Sequence, residues 1–77
     1  MPLDRTEALR AEYRARINRV LDFIDLNIRR DLRLDELART AHFSRFHFHR
    51  IFSALTGETL NAYIQRRRAE LAAAALL

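Results

Sequence analysis

Apolar residues recur at helical spacing along most of the chain and divide it into four helical stretches. In the first, Leu9, Tyr13, Ile17, Val20, Ile24 and Ile28 form one stripe, which predicts a helix from Asp4 to about Arg29. Asp4 and Glu7 have the spacing of a capping box at its start, and Glu12/Arg16 and Asp25/Arg29 sit at the favourable four-residue separation. The half from Ile17 onward has the apolar residues that can anchor it. The earlier half has few and is free to fray. Arg30-Asp31-Leu32-Arg33 is a short polar joint.

The stretch from Leu34 to Gly57 reads as two short helices around one tight turn, a helix-turn-helix. Leu37, Ala38, Ala41, Phe43, Phe48 and Ile51 supply a buried stripe for each helix, with Phe43 in the turn and Ala38 small enough for a close crossing. Asp35 and Glu36 complement the dipole at the start of the first helix. Thr40-Ala41-His42-Phe43 contains no glycine, so His42 or its neighbour is expected in the left-handed region. Ser44 is the N-cap of the second helix and Gly57 its left-handed stop, which makes 44–56 the candidate recognition helix.

At roughly 100° per residue, that helix places Phe48, Ile51, Phe52 and Leu55 towards a core. Its opposite face carries Arg45, Phe46, His49, Arg50 and Ser53. A guanidinium can grip guanine O6 and N7 in a major groove while an apolar ring lies on a thymine methyl. Two plainer readings stand beside this one: Phe46 as a rim residue of the core or a protein contact, and Arg45 and Arg50 as solvated surface. If His49 meets a phosphate or a guanine, binding should strengthen as the pH falls.

Thr59 opens a fourth helix carrying Leu60, Tyr63, Ile64, Leu71 and the apolar run from Ala72 to Leu77. Arg66, Arg67 and Arg68 interrupt it and fan over roughly 200°. Arg67 is expected along the core edge, paired with a carboxylate or with carbonyls. Arg66 and Arg68 are expected to face solvent or phosphate. The exposed apolar end, with Leu76-Leu77, suggests either a chain cut at a domain joint or a surface covered by a homodimer.

Composition narrows the function classes. The 77 residues suit one small domain, and one Gly, one Pro and 49% apolar residues favour an all-α fold of about four helices. The absence of cysteine excludes a disulfide frame and a thiolate zinc site. No apolar run is long enough to span a membrane and the start resembles no signal peptide, so a soluble cytoplasmic protein is expected. Net charge is +4, and its excess is confined to residues 37–77, which hold six Arg against Glu58 and Glu70. Such a distribution fits a polyanionic partner. His47 and His49 diverge by roughly 200° on their helix, unlike a zinc pair, and no glycine-rich loop or carboxylate pair suggests catalysis. No metal, cofactor or enzyme activity is expected.

Leu37-Ala38, Ser44, Phe48, Arg50 with Phe52, Gly57, Tyr63-Ile64 and the following arginines together resemble the first helix-turn-helix subdomain of AraC/XylS-type transcription regulators. The resemblance covers about residues 17–77. It implies a homeodomain-like three-helix arrangement plus a linker helix, in a bacterial regulator of transcription. The organisation it implies is an N-terminal helical extension over 1–16, the helix-turn-helix subdomain over 17–58, and a linker helix over 59–77 leading to a second subdomain missing here. Residue by residue, it puts Phe46, His49 and Arg50 at base edges of double-stranded DNA, and Arg45 and the backbone around Ser44 at phosphates. The position near Met1 further resembles members in which an effector-binding domain, often gyrase-inhibitor-like, follows the DNA-binding half, and no effector pocket is expected in this segment. Ser53 and Ala69 depart from the family pattern, which often has a basic and a bulky apolar residue there. The competing class is a helical interaction or dimerisation module without autonomous DNA binding.

Overall fold

The computed structural model describes residues 4–76, in which four helices follow one another: α1 (Arg5–Leu26), α2 (Leu34–Thr40), α3 (Arg45–Thr56) and α4 (Leu60–Ala75). Three of the four begin on a side chain able to satisfy an otherwise unpaired helical N–H. Asp4 accepts from the Glu7 amide at 2.7 Å, Ser44 from His47 at 3.2 Å, and Thr59 from Ala62 at 3.1 Å. α2 starts at Arg33 with no such bond. Met1, Pro2, Leu3 and Leu77 lie outside the described residues.

α1 stops three residues before the predicted Arg29. Asn27 ends it, with its amide donating to the Phe23 and Ile24 carbonyls and its Nδ2 to Phe23 O at 2.8 Å. The chain then turns, so Ile28 packs against the core from a turn and not from the helix.

The core is drawn from all four helices: Ile17, Val20 and Ile24 of α1, Leu37 and Ala38 of α2, Phe48 and Phe52 of α3, and Leu60 and Ile64 of α4, with Ala41 from the turn. The predicted stripes meet there, with two corrections. Leu9 is 47% exposed, because the first two turns of α1 run past the core with no element to cover them. Leu55, expected in the core, is 41% exposed: it lies in the last turn of α3, at the rim, while Phe48 and Phe52 fill the interior.

His42 takes the left-handed conformation expected in the turn, with φ 58°. Its amide bonds to Arg39 O at 3.0 Å and that of Phe43 to Ala38 O at 2.9 Å, the paired bonds of a Schellman stop. Gly57 ends α3 at φ 76° by a single bond to Ser53 O. An L-residue in this region carries a steric cost of about 1–2 kcal/mol that glycine avoids, partly offset by glycine's greater freedom when unfolded. His42→Gly should therefore raise the melting temperature by about 2–5 °C, and Gly57→Ala should lower it by a similar amount. Nothing stands within 4 Å of a Cβ at position 57, so that loss would come from backbone strain alone. Thermal unfolding followed by circular dichroism checks both.

Candidate nucleic-acid interface

α3 is sealed on one side and open on the other. Phe48 and Phe52 are fully buried, while Arg45, Phe46, His49 and Arg50 are exposed, Phe46 to 73%. The structure thus brings together four of the residues singled out in the sequence, on one helix whose N-terminus is uncovered. The Arg50 guanidinium lies over the Phe46 ring, 5.6 Å from its centroid. This contact gives an exposed aromatic something to do without a core, and it limits the orientations open to the arginine.

Ser44 and Arg45 sit at the head of the helix. The Ser44 Oγ accepts the His47 amide, which leaves its O–H able to donate to an anion. The Arg45 Nε is 2.6 Å from the Asp35 carboxylate of α2, a pair more than half exposed on both sides. Such a pair is worth little in water, so a phosphate can displace the carboxylate.

Ser53 differs from its neighbours. Expected on the open face, it is half-buried, and its Oγ is shielded from solvent without a hydrogen-bond partner. It presents no donor to a groove.

The three arginines of α4 each have a partner elsewhere in the molecule. Arg67 lies along the core edge, as the pattern predicts, with a bidentate pair to Asp25 of α1 at 3.0 and 3.1 Å and a bond to Glu70 at 2.9 Å. Arg66, expected at solvent or phosphate, is exposed, and Arg68 is half-buried. Arg66 pairs with Glu58 at 2.7 Å and with Glu70, and Arg68 donates to the carbonyls of Ile28 at 3.1 Å and Arg30 at 3.0 Å. Together they brace α4 against α1, the α1–α2 connection and the α3–α4 joint, because three consecutive positions point in three directions.

Hydrogen bonds from Arg66 and Arg67 hold the Glu70 carboxyl below the usual carboxylate range, and Arg30 does the same for Glu36. A carboxyl depressed in the folded state contributes stability above its unfolded pKa, roughly 4–5, and loses it as the pH falls through the folded value. The melting temperature should therefore drop on acidification below about pH 5, and the drop should be smaller in a Glu36→Gln/Glu70→Gln double variant. Both groups face solvent, so the effect is modest.

One cluster has no counterpart in the sequence pattern. The Phe43 ring stands edge-on to Tyr13 at 5.0 Å and to His47 at 5.0 Å, with Tyr13 and His47 5.7 Å apart. The Arg16 guanidinium covers Phe43 at 4.8 Å and Arg16 Nη1 donates to His42 O at 3.4 Å. This cluster ties α1 to the turn and to the first turn of α3. Its members lie up to 34 positions apart, from Tyr13 to His47, so local periodicity could not pair them.

Residues 25–65 match the family described as bacterial regulatory helix-turn-helix proteins, AraC family, a span containing the end of α1, both helices of the helix-turn-helix and the start of α4. The chain belongs to the AraC family. Its helix-turn-helix is the DNA-binding module of a transcription regulator. The chain is 40% identical over 60 residues to the transposon Tn10 TetD protein of Escherichia coli, covering 78% of this chain and 44% of that one. It is 35% identical over 60 residues to the regulatory protein SoxS of Salmonella typhimurium, covering 78% and 56%, and 34% identical over 65 residues to the HTH-type transcriptional regulator YbfP of Bacillus subtilis, covering 84% and 22%. It spans between about a fifth and just over half of the length of these relatives. Among the described residues no helix is long and apolar enough to cross a membrane.

Proposed function

We propose that α3 enters the major groove of double-stranded DNA and that Phe46, His49 and Arg50 meet base edges there, while Ser44 and Arg45 hold the flanking phosphates. One observation carries the reading: the residues able to read bases are exposed together on the side of α3 that the core does not use. The uncovered start of α3 adds free N–H groups and a dipole end that favours phosphate. Arg66 and Arg68 complete the phosphate-contacting set in this reading, Arg66 through exposed ion pairs that a phosphate can displace as it can that of Arg45. The role is one of binding without catalysis or cofactor, in the bacterial cytoplasm where the DNA is.

The greater length of the relatives supports reading this chain as the first helix-turn-helix subdomain of a longer regulator, with α4 as the linker helix to a second. An effector domain of gyrase-inhibitor type would then lie outside this segment, which has no part in holding the effector. A second reading, self-association through α4, is favoured by Leu76 at 88% exposure and by a groove of about 380 Å³ in which Ile28, Leu71, Ala72 and Ala75 are joined by Arg29 and Arg68.

One experiment separates the two: binding to mixed-sequence duplex DNA across a salt series, beside mass in solution by light scattering. The DNA reading expects affinity that falls steeply with salt and an Arg45→Ala variant that weakens every sequence alike. No binding at low salt, together with a stable dimer, would favour self-association.

A further inference from the structure

The first two turns of α1 are exposed and are not covered by the other helices. α1 is 22 residues long, yet its fully buried positions begin only at Ile17. The exposed segment from Arg5 to Glu12 extends over roughly 10 Å at 1.5 Å per residue. It also precedes the family match, which begins at residue 25.

The direction of this overhang is set by the cluster around Phe43. Tyr13 lies against His47 in the first turn of α3, and Arg16 bonds to His42 O in the turn just before it. His47 and Arg50 are three residues apart, roughly 60° around the helix, so α1 flanks the side of α3 that leads to Arg50. Arg10, three residues before Tyr13, lies roughly 60° from it around α1, one turn further along the overhang. Arg14, four residues after Arg10, stands beside it.

Charge indicates what this surface would take. Arg16, Arg30, Arg66, Arg67 and Arg68 have partners within the molecule and Arg45 has an exposed one that a phosphate can displace, while Arg10 and Arg14 are among the arginines that keep their donors open. Arg10 and Arg14 have no hydrogen bond or ion pair among the described residues. They line a shallow open groove with Glu7, Ala11, Ala15 and Asn18, in which Glu7 is the single carboxylate. Leu9 is the one large apolar side chain exposed on the overhang, too little for a protein partner to bury.

We propose that this half of α1 is a second phosphate-binding surface, with Arg10 and Arg14 gripping the DNA backbone beside the groove that α3 enters. The inference rests on the reading of α3 as the helix that enters the groove. It extends the footprint beyond the helix-turn-helix without adding a base contact, so it raises affinity for all sequences equally.

The test compares salt dependence of duplex binding for the unaltered chain, an Arg10→Ala/Arg14→Ala variant and a charge-matched Arg19→Ala/Arg29→Ala control. Removing one arginine–phosphate pair should reduce the slope of log K against log salt by about 0.9, so a reduction of roughly 2 is expected in the first variant and little change in the control. Alanine is a strong helix former, and circular dichroism will show whether α1 is retained. Equal slopes in variant and control, with binding intact, would overturn the α1 surface and leave the α3 reading standing. If the unaltered chain showed no salt-dependent binding, the α3 reading would fall and this proposal with it.

Discussion

Phe48→Ala is expected to remove about half of the chain's stability. Phe48 is fully buried, and its ring packs at 5.7 Å on Phe52, which in turn meets Tyr63 of α4 edge-on at 5.6 Å. Truncating a buried phenylalanine costs about 3–5 kcal/mol through the forfeited transfer energy and the cavity left behind. A domain of this size has only about 4–12 kcal/mol in total. The ten core positions leave few neighbours to collapse into the space, and α3 would lose its seat against both α1 and α4. Urea denaturation should show a midpoint falling by about half with an unchanged slope. By contrast, Leu55→Ala and Phe46→Ala should change stability by about 0.5 kcal/mol or less, because both side chains are exposed. If Phe48→Ala cost no more than they do, the packing described would be wrong.

Arg50→Ala should reduce discrimination between the preferred duplex and one with a changed base pair by about 1–3 kcal/mol, roughly 5- to 150-fold. A guanidinium that forms two parallel bonds to guanine cannot be replaced by water or by a methyl group without leaving base atoms unpaired. The Phe46 ring beneath Arg50 restricts the guanidinium before it meets DNA, so binding costs it less conformational freedom. Arg50→Lys should not rescue discrimination, since an ammonium group has neither the fork nor the plane. Arg50 lacks core contacts and is exposed, so the variant should unfold at the same temperature as the parent. The measurement is competition binding with a duplex selected by the parent chain and its single-base variants. Unaltered sequence preference in Arg50→Ala would show that the recognition face has been misassigned.

The two variants divide α3 into its two functions. One side supplies the aromatic pair that holds the helix in place, and the other is left open because the fold does not need it. Arg45 lies between, on the edge where the helix-turn-helix meets solvent, and its pairing with Asp35 keeps it beside the start of α3.

Much of the secondary structure was legible in the sequence because its signals are local. The caps at Asp4, Ser44 and Thr59, the stop at Gly57 and the left-handed His42 each depend on residues within a few positions. The apolar stripes identified the inner faces of all four helices, and with them the open face of α3. Only the tertiary structure decided where a stripe ceases to be core: Leu9 and Leu55 obey the period, yet both lie beyond the edge of what the other helices cover. It also decided the partners of Arg66 and Arg68 within the molecule. An arginine's long side chain takes whichever acceptor the fold brings within reach, and the acceptors here come from Glu58 and from the carbonyls of Ile28 and Arg30. Periodicity reports which way a side chain leaves its helix; what it meets depends on residues up to 42 positions away in the chain, which only packing brings near.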